Sequence, residues 1–128
     1  MRDPATIRDL VLNSPHLTSG FLLRVDNQPE PVIFWDPDER TFGELLGAKQ
    51  IGQVRELKLN GTLDGLTIVH VYDRTLPVNL HLPEPFNVPL RGDVIFIRRD
   101  SEHRLVNIQD YDAVTLMEFL SRCQHPAP

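Results

Sequence analysis

One cysteine, Cys123, stands in 128 residues. No intrachain disulfide can form, so packing alone must hold the fold, and a reducing, intracellular setting is expected, nuclear if the source is eukaryotic. No Cys-x2-Cys pair exists, and the five histidines (His16, His70, His81, His103, His125) show none of the short spacings of metal ligands. Gly-x-Gly-x-x-Gly, Walker-type and Gly-x-Ser-x-Gly loops are missing. These absences predict a protein that is not an enzyme and takes no metal or cofactor. No apolar run approaches the roughly 20 residues a membrane helix needs, and Met1-Arg2-Asp3-Pro4 does not lead into the apolar part of a secretory signal; no membrane partner is expected. A basic excess is lacking too. The formal net charge is -5, which weighs against holding a polyanion by charge alone. Residues 1–39 carry three Arg against seven Asp/Glu, whereas residues 40–110 carry nine Lys/Arg against nine Asp/Glu. The cluster Asp36, Asp38, Glu39 beside Trp35 lacks the glycine and terminal glutamate of a calcium loop and reads as a solvated turn.

What is present is ordinary for one globular domain: 41% apolar and 24% charged residues. Seven glycines and eleven prolines fall between apolar runs, the pattern of short elements joined by turns. Asp3-Pro4 opens a short helix carrying Ile7, Leu10 and Val11, ended by Asn13-Ser14-Pro15. Phe21 to Val25 and Val32 to Trp35 read as a hairpin around Asn27-Gln28-Pro29. Thr41 to Gln50 suggests a helical turn with Phe42, Leu45 and Leu46 on one side. Five strands follow: Val54 to Asn60, Leu66 to Asp73, Leu76 to Leu82, Gly92 to Arg99, and Arg104 to Gln109. Asp112 then caps a helix whose Ala113, Leu116, Met117, Leu120 and Cys123 form an apolar stripe, widened by Val114 and Phe119.

Five strands and a helix suit a five-stranded, partly open barrel. The expected protein is mainly β and a single domain over 1–128. Residues 1–50 form an N-terminal helix and hairpin extension, 51–110 the barrel, and 111–125 a C-terminal helix. A sandwich that uses the hairpin strands is the structural alternative.

Alternation assigns side chains to faces. Leu76, Val78, Leu80 and Leu82 should form the inner face of their strand, leaving Asn79 and His81 outside. With Val69 and Val71 inward, His70 and Tyr72 face outward; with Leu57 and Leu59 inward, Lys58 does also. One surface would then show Lys58, His70, Tyr72, Asn79 and His81, with Arg55, Arg74 and Arg98 extending it. Rings, amides and cations together are what a single strand of nucleic acid requires: bases stack for roughly 1–3 kcal/mol each while cations follow the backbone. A solvated polar sheet face gives the same pattern without a ligand.

The stretch from Gln53 to Asp110 resembles OB-fold single-stranded DNA-binding domains, in particular those of telomere end-protection proteins and replication protein A. Leu66 to Thr75, with its Asp73-x-Thr75 turn, looks like the family's second strand, Pro77 to Leu82 like its third, and Leu90 to Arg98, opened by Gly92-Asp93-Val94, like its fourth. The resemblance implies a single-stranded DNA ligand and a place in a telomere or genome-maintenance complex. Small subunits of that kind end in a helix that packs on a partner. By likeness Leu116, Met117, Phe119, Leu120 and Cys123, with Ile7 and Leu10, become candidate partner contacts. The alternative function is a protein-interaction subunit that joins its partner through the terminal helices without touching DNA.

Overall fold

The structure, a computed structural model, describes residues 17–58, 65–83 and 86–123. The expected N-terminal helix, with Ile7 and Leu10, lies outside them.

Strands β1 (Leu17–Leu23) and β2 (Glu30–Trp35) form the expected antiparallel hairpin, with Leu17 opposite Trp35 and Leu22 opposite Glu30. Asp26 takes the left-handed backbone of the connecting turn, at φ 63°, a conformation Asp tolerates better than most residues. Helix α1 (Glu39–Leu46) follows. Its start is fixed by a reciprocal cap: the Thr41 amide donates to Asp38 Oδ1 at 2.9 Å, and the Asp38 amide to Thr41 Oγ1 at 3.3 Å. Gly47, at φ 75°, ends it in the left-handed conformation that glycine adopts most readily. Phe42 and Leu46 turn toward the sheet, whereas Leu45, expected beside them, faces outward.

A 3-10 turn (Ile51–Gln53) leads into β3 (Val54–Lys58), followed by β4 (Leu66–Val71), β5 (Val78–His81), β6 (Pro89–Arg91), β7 (Val94–Arg99), β8 (Leu105–Val106) and helix α2 (Asp110–Arg122). The short β6, inside the proline-rich stretch, is unforeseen. The helix cap is Gln109, not Asp112. Asp112 is its third residue and accepts the Gln109 amide at 2.6 Å.

The chain is mainly β and its strands pair antiparallel, as expected. The main sheet runs β2-β1-β7-β4-β3, with β8 joined to the far end of β7, and β5-β6 form a separate pair. Among the described residues no ladder joins β4 to β5, as a barrel of consecutive strands requires; β4 pairs with β7, and β2 and β3 end the ladder.

Both faces of this sheet are filled from the same chain. One holds Leu23, Leu66, Ile68, Val94 and Phe96 beneath Leu116, Phe119 and Leu120 of α2 and Leu80 and Leu90 of the β5-β6 pair. The other holds Leu22, Phe34, Val69, Val71, Ile95 and Ile97 beneath Phe42 and Leu46 of α1. Two-sided burial explains the unbroken apolar run Val94–Ile97 and the burial of every residue from Leu66 to Val69, since a central strand covered on both faces has no solvent side. Gly20 lets β1 lie close against β7: a Cβ there would stand 2.7 Å from the Phe96 carbonyl oxygen, and 3.2 Å from the Phe34 ring of β2. No helix among the described residues is long and apolar enough to cross a membrane.

Candidate interaction surfaces

The β3-β4 register sets Arg55 opposite His70, Leu57 opposite Ile68 and Lys58 opposite Thr67. Arg55 and His70 therefore lie on the α2 side of the sheet, while Glu56 and Lys58 lie on the α1 side with Val69. The single surface expected to join Lys58 to His70 is split between two faces. Lys58 Nζ instead stands 2.7 Å from His103 Nδ1.

Two more members of the expected patch are structural. Asn79 is buried, and its Nδ2 donates to the carbonyls of Leu23 at 3.1 Å and Gly92 at 2.9 Å. The β5-β6 register shifts between Val78 and Leu80, so Asn79 escapes the alternation that would have placed it outside. Leu76 leaves that alternation too, packing on the α1 side while Leu80 and Leu82 pack on the α2 side. Arg98 holds the fully buried Asp112, its Nε donating to Oδ2 at 2.8 Å and its Nη2 to Oδ1, and its guanidinium stands 5.1 Å from the Tyr111 ring centre. His81 Nε2 lies 2.8 Å from Asn87 Oδ1 across the β5-β6 connection.

What the structure does gather is Arg55, His70 and Tyr72. The Arg55 guanidinium stands 6.0 Å from the centre of the exposed Tyr72 ring. Burial, and then the Arg55 charge, hold His70 below the ordinary histidine value of 6.5. Arg74 is exposed in the turn that follows, where Asp73 Oδ1 accepts the Thr75 amide at 2.9 Å and the Thr75 hydroxyl at 2.6 Å. This turn is the expected Asp-x-Thr turn.

The partner contacts expected on the C-terminal helix divide. Leu116, Phe119, Leu120 and Cys123 are buried in the chain's own core, because the helix lays this stripe on its own sheet. Burial raises the Cys123 thiol to about 11, so it stays protonated at neutral pH. Met117 alone of the five remains outside, flanked by Tyr111 and Val114, all three exposed.

A second exposed apolar surface was not expected. Val32, Ile33 and Trp35 of β2 and Leu45 of α1 line an open groove, about 620 Å³, that also takes in Thr41 and Glu44. Trp35 is 64% exposed, Ile33 44% and Leu45 41%. The signal in the sequence was the run Val32–Trp35, four apolar residues where a half-solvated strand would alternate. A smaller cavity of about 120 Å³ between α1 and the sheet is lined by Phe42, Val69, Glu56 and Arg99, room for a few waters rather than a cofactor. Among the described residues no three His, Cys, Asp or Glu side chains gather as metal ligands.

Comparison with known proteins gives no match, whether to a family model, a curated protein or a solved structure.

Proposed function

We propose that this chain is a non-catalytic protein-interaction module. The observation that carries the reading is where its exposed apolar side chains lie. Both faces of the main sheet already have cover from this chain, yet Ile33, Trp35 and Leu45 cluster at one edge and Tyr111, Val114 and Met117 along the outer side of α2. Isolated exposed apolar residues need no explanation; clusters of them mark binding surfaces. A photo-crosslinking residue placed at 33 or 117 in the source cell should form adducts with other polypeptides, while one at Glu102, an exposed polar loop position, should not. Equal adducts at all three positions, or none at 33 and 117, would defeat the reading.

A second reading, single-stranded nucleic-acid binding, is favoured by one specific feature, the Arg55 guanidinium over the Tyr72 ring with His70 alongside. One exposed ring with two arginines supports a contact of one or two nucleotides, not the continuous stacking path a long single strand follows. In that reading the module still belongs to a genome-maintenance assembly, with its partner supplying most of the affinity.

A further inference from the structure

The two edges of the main sheet are treated differently. At β3 the outermost strand carries Arg55, Glu56 and Lys58, charges of the kind that keep an edge from pairing with another chain. Among the described residues β2 is the outermost strand at the other edge, and it carries Val32, Ile33, Phe34 and Trp35 in succession, with Glu30 and Pro31 at its start. Beside it lies the groove shared with α1, lined by Val32, Ile33, Trp35 and Leu45. An edge strand flanked by an apolar groove is the arrangement that accepts an extended segment, with backbone hydrogen bonds supplying affinity and alternate side chains entering the groove.

Charge around this edge selects the occupant. From Arg24 through Leu46 there are two arginines against six carboxylates, a local net of -4 within a chain total of -5. Both arginines are already engaged: Arg24 Nε meets Glu30 at 3.1 Å while its Nη1 lies 3.9 Å from Asp93, and Arg40 Nε meets Glu44 at 3.3 Å. Resting on the interaction-module reading, we propose that β2 and the β2-α1 groove bind an extended, basic segment of a partner protein, which adds to the sheet as a strand and places one set of alternate side chains beside Val32 and Leu45 on the α1 side and the other beside Ile33 on the opposite side. A second copy of this chain is disfavoured there, because pairing two β2 strands brings two acidic regions together.

The full chain can be titrated with three short peptides of one length: alternating Lys and Val, alternating Glu and Val, and the Lys-Val peptide N-methylated along one backbone edge. Trp35 is the sole tryptophan, so its fluorescence reports occupancy of the groove directly. The Lys-Val peptide should shift the Trp35 emission saturably, with an affinity that falls as salt rises, and should slow amide exchange in β2. The Glu-Val and N-methylated peptides should bind at least roughly tenfold more weakly, a difference of about 1.4 kcal/mol. Ile33→Lys, an exposed change that leaves the core intact, should weaken the Lys-Val peptide by a similar factor. Equal binding of the Lys-Val and Glu-Val peptides, equal binding of the N-methylated one, or no binding at all would overturn the proposal. So would a concentration-dependent dimer that Ile33→Lys dissolves. Crosslinks at 33 or 117 that persist beside such a failure would leave the module reading standing and remove only this ligand.

Discussion

Arg98 of β7 reaches across the α2 face of the sheet to Asp112, the third residue of α2. Asp112 is fully buried and the Arg98 side chain is 15% exposed. The same carboxylate accepts the Gln109 amide that opens the helix. One buried group thus ties the helix start to the central strand. Asp112→Ala should lower stability by about 1.5–3 kcal/mol, because it removes the fully buried acceptor that holds both Arg98 and the Gln109 amide. Replacing both partners, Arg98→Met with Asp112→Leu, should recover most of that loss. Urea unfolding of the single and double variants measures the difference.

Asn79 predicts a similar outcome from a neutral group. Asn79→Ala leaves the Leu23 and Gly92 carbonyls without this donor, at about 1–3 kcal/mol for each group left unsatisfied. A thermal melt of the variant should show the loss. A variant as stable as the parent would mean that these carbonyls find water instead.

His70 predicts a pH effect. Its folded value lies below 6.5, through burial first and the Arg55 charge second. Above that range histidine is neutral in both states and its contribution to stability is complete. As pH falls below 6.5, the unfolded chain takes up the proton before the folded one does, so stability decreases until the folded value is passed. Urea midpoints measured from pH 7.5 to 5 should therefore decline, and His70→Asn should flatten that decline. The carboxylates of Asp38, Asp73 and Asp100 are held below 3.8 by local hydrogen bonds. Their contribution is lost only under more acid conditions, as pH falls below 3.8, which keeps the two windows apart.

Neighbouring positions on α2 should behave in opposite ways. Phe119→Ala removes a fully buried ring and should destabilise by about 3–5 kcal/mol. Met117→Glu alters an exposed position and should change stability by no more than about 0.5 kcal/mol. In cells, Met117→Glu should diminish adducts formed from a crosslinker at Val114 without changing those formed at Ile33.

Tyr72→Ala tests the second reading. If the ring stacks on a base, binding of a labelled single-stranded oligonucleotide should weaken by about 1–3 kcal/mol. The same substitution should leave the Lys-Val peptide unaffected, since Tyr72 lies at the β3-β4 edge and not beside β2.

Local features were legible in the sequence and long-range ones were not. The first hairpin, a helical turn carrying Phe42 and Leu46, and the existence of β3, β4, β5 and β7 all follow from turn residues and apolar runs within a few positions of one another, whereas the Asp38 cap of α1 is unforeseen. Pairing order does not. The partner of β4 is β7, beyond the β5-β6 pair, and no spacing within β4 says so. Alternation also misleads in a strand covered on both sides. In Leu66–Val71 each residue up to Val69 is buried, so reading one set as inner and the other as outer was bound to misplace His70 relative to Lys58. The patch failed at Asn79 and Arg98 for a related reason: buried polar groups are chosen for partners that only the folded chain brings near. Ile33 and Leu45 were in plain view as apolar residues, but their exposure depends on the end position of β2 in the sheet.

β7 pairs with β1, β4 and β8, and Ser19 beside it reaches Asn107 from 88 positions away. The first hairpin therefore leaves the ribosome long before the strand that completes it, and Leu22 and Phe34 must wait without their cover. Contacts that bridge so much chain slow folding and expose apolar segments in the interval. Synthesis that stops short of residue 94 should yield a nascent chain dependent on chaperones, however firm the finished molecule is.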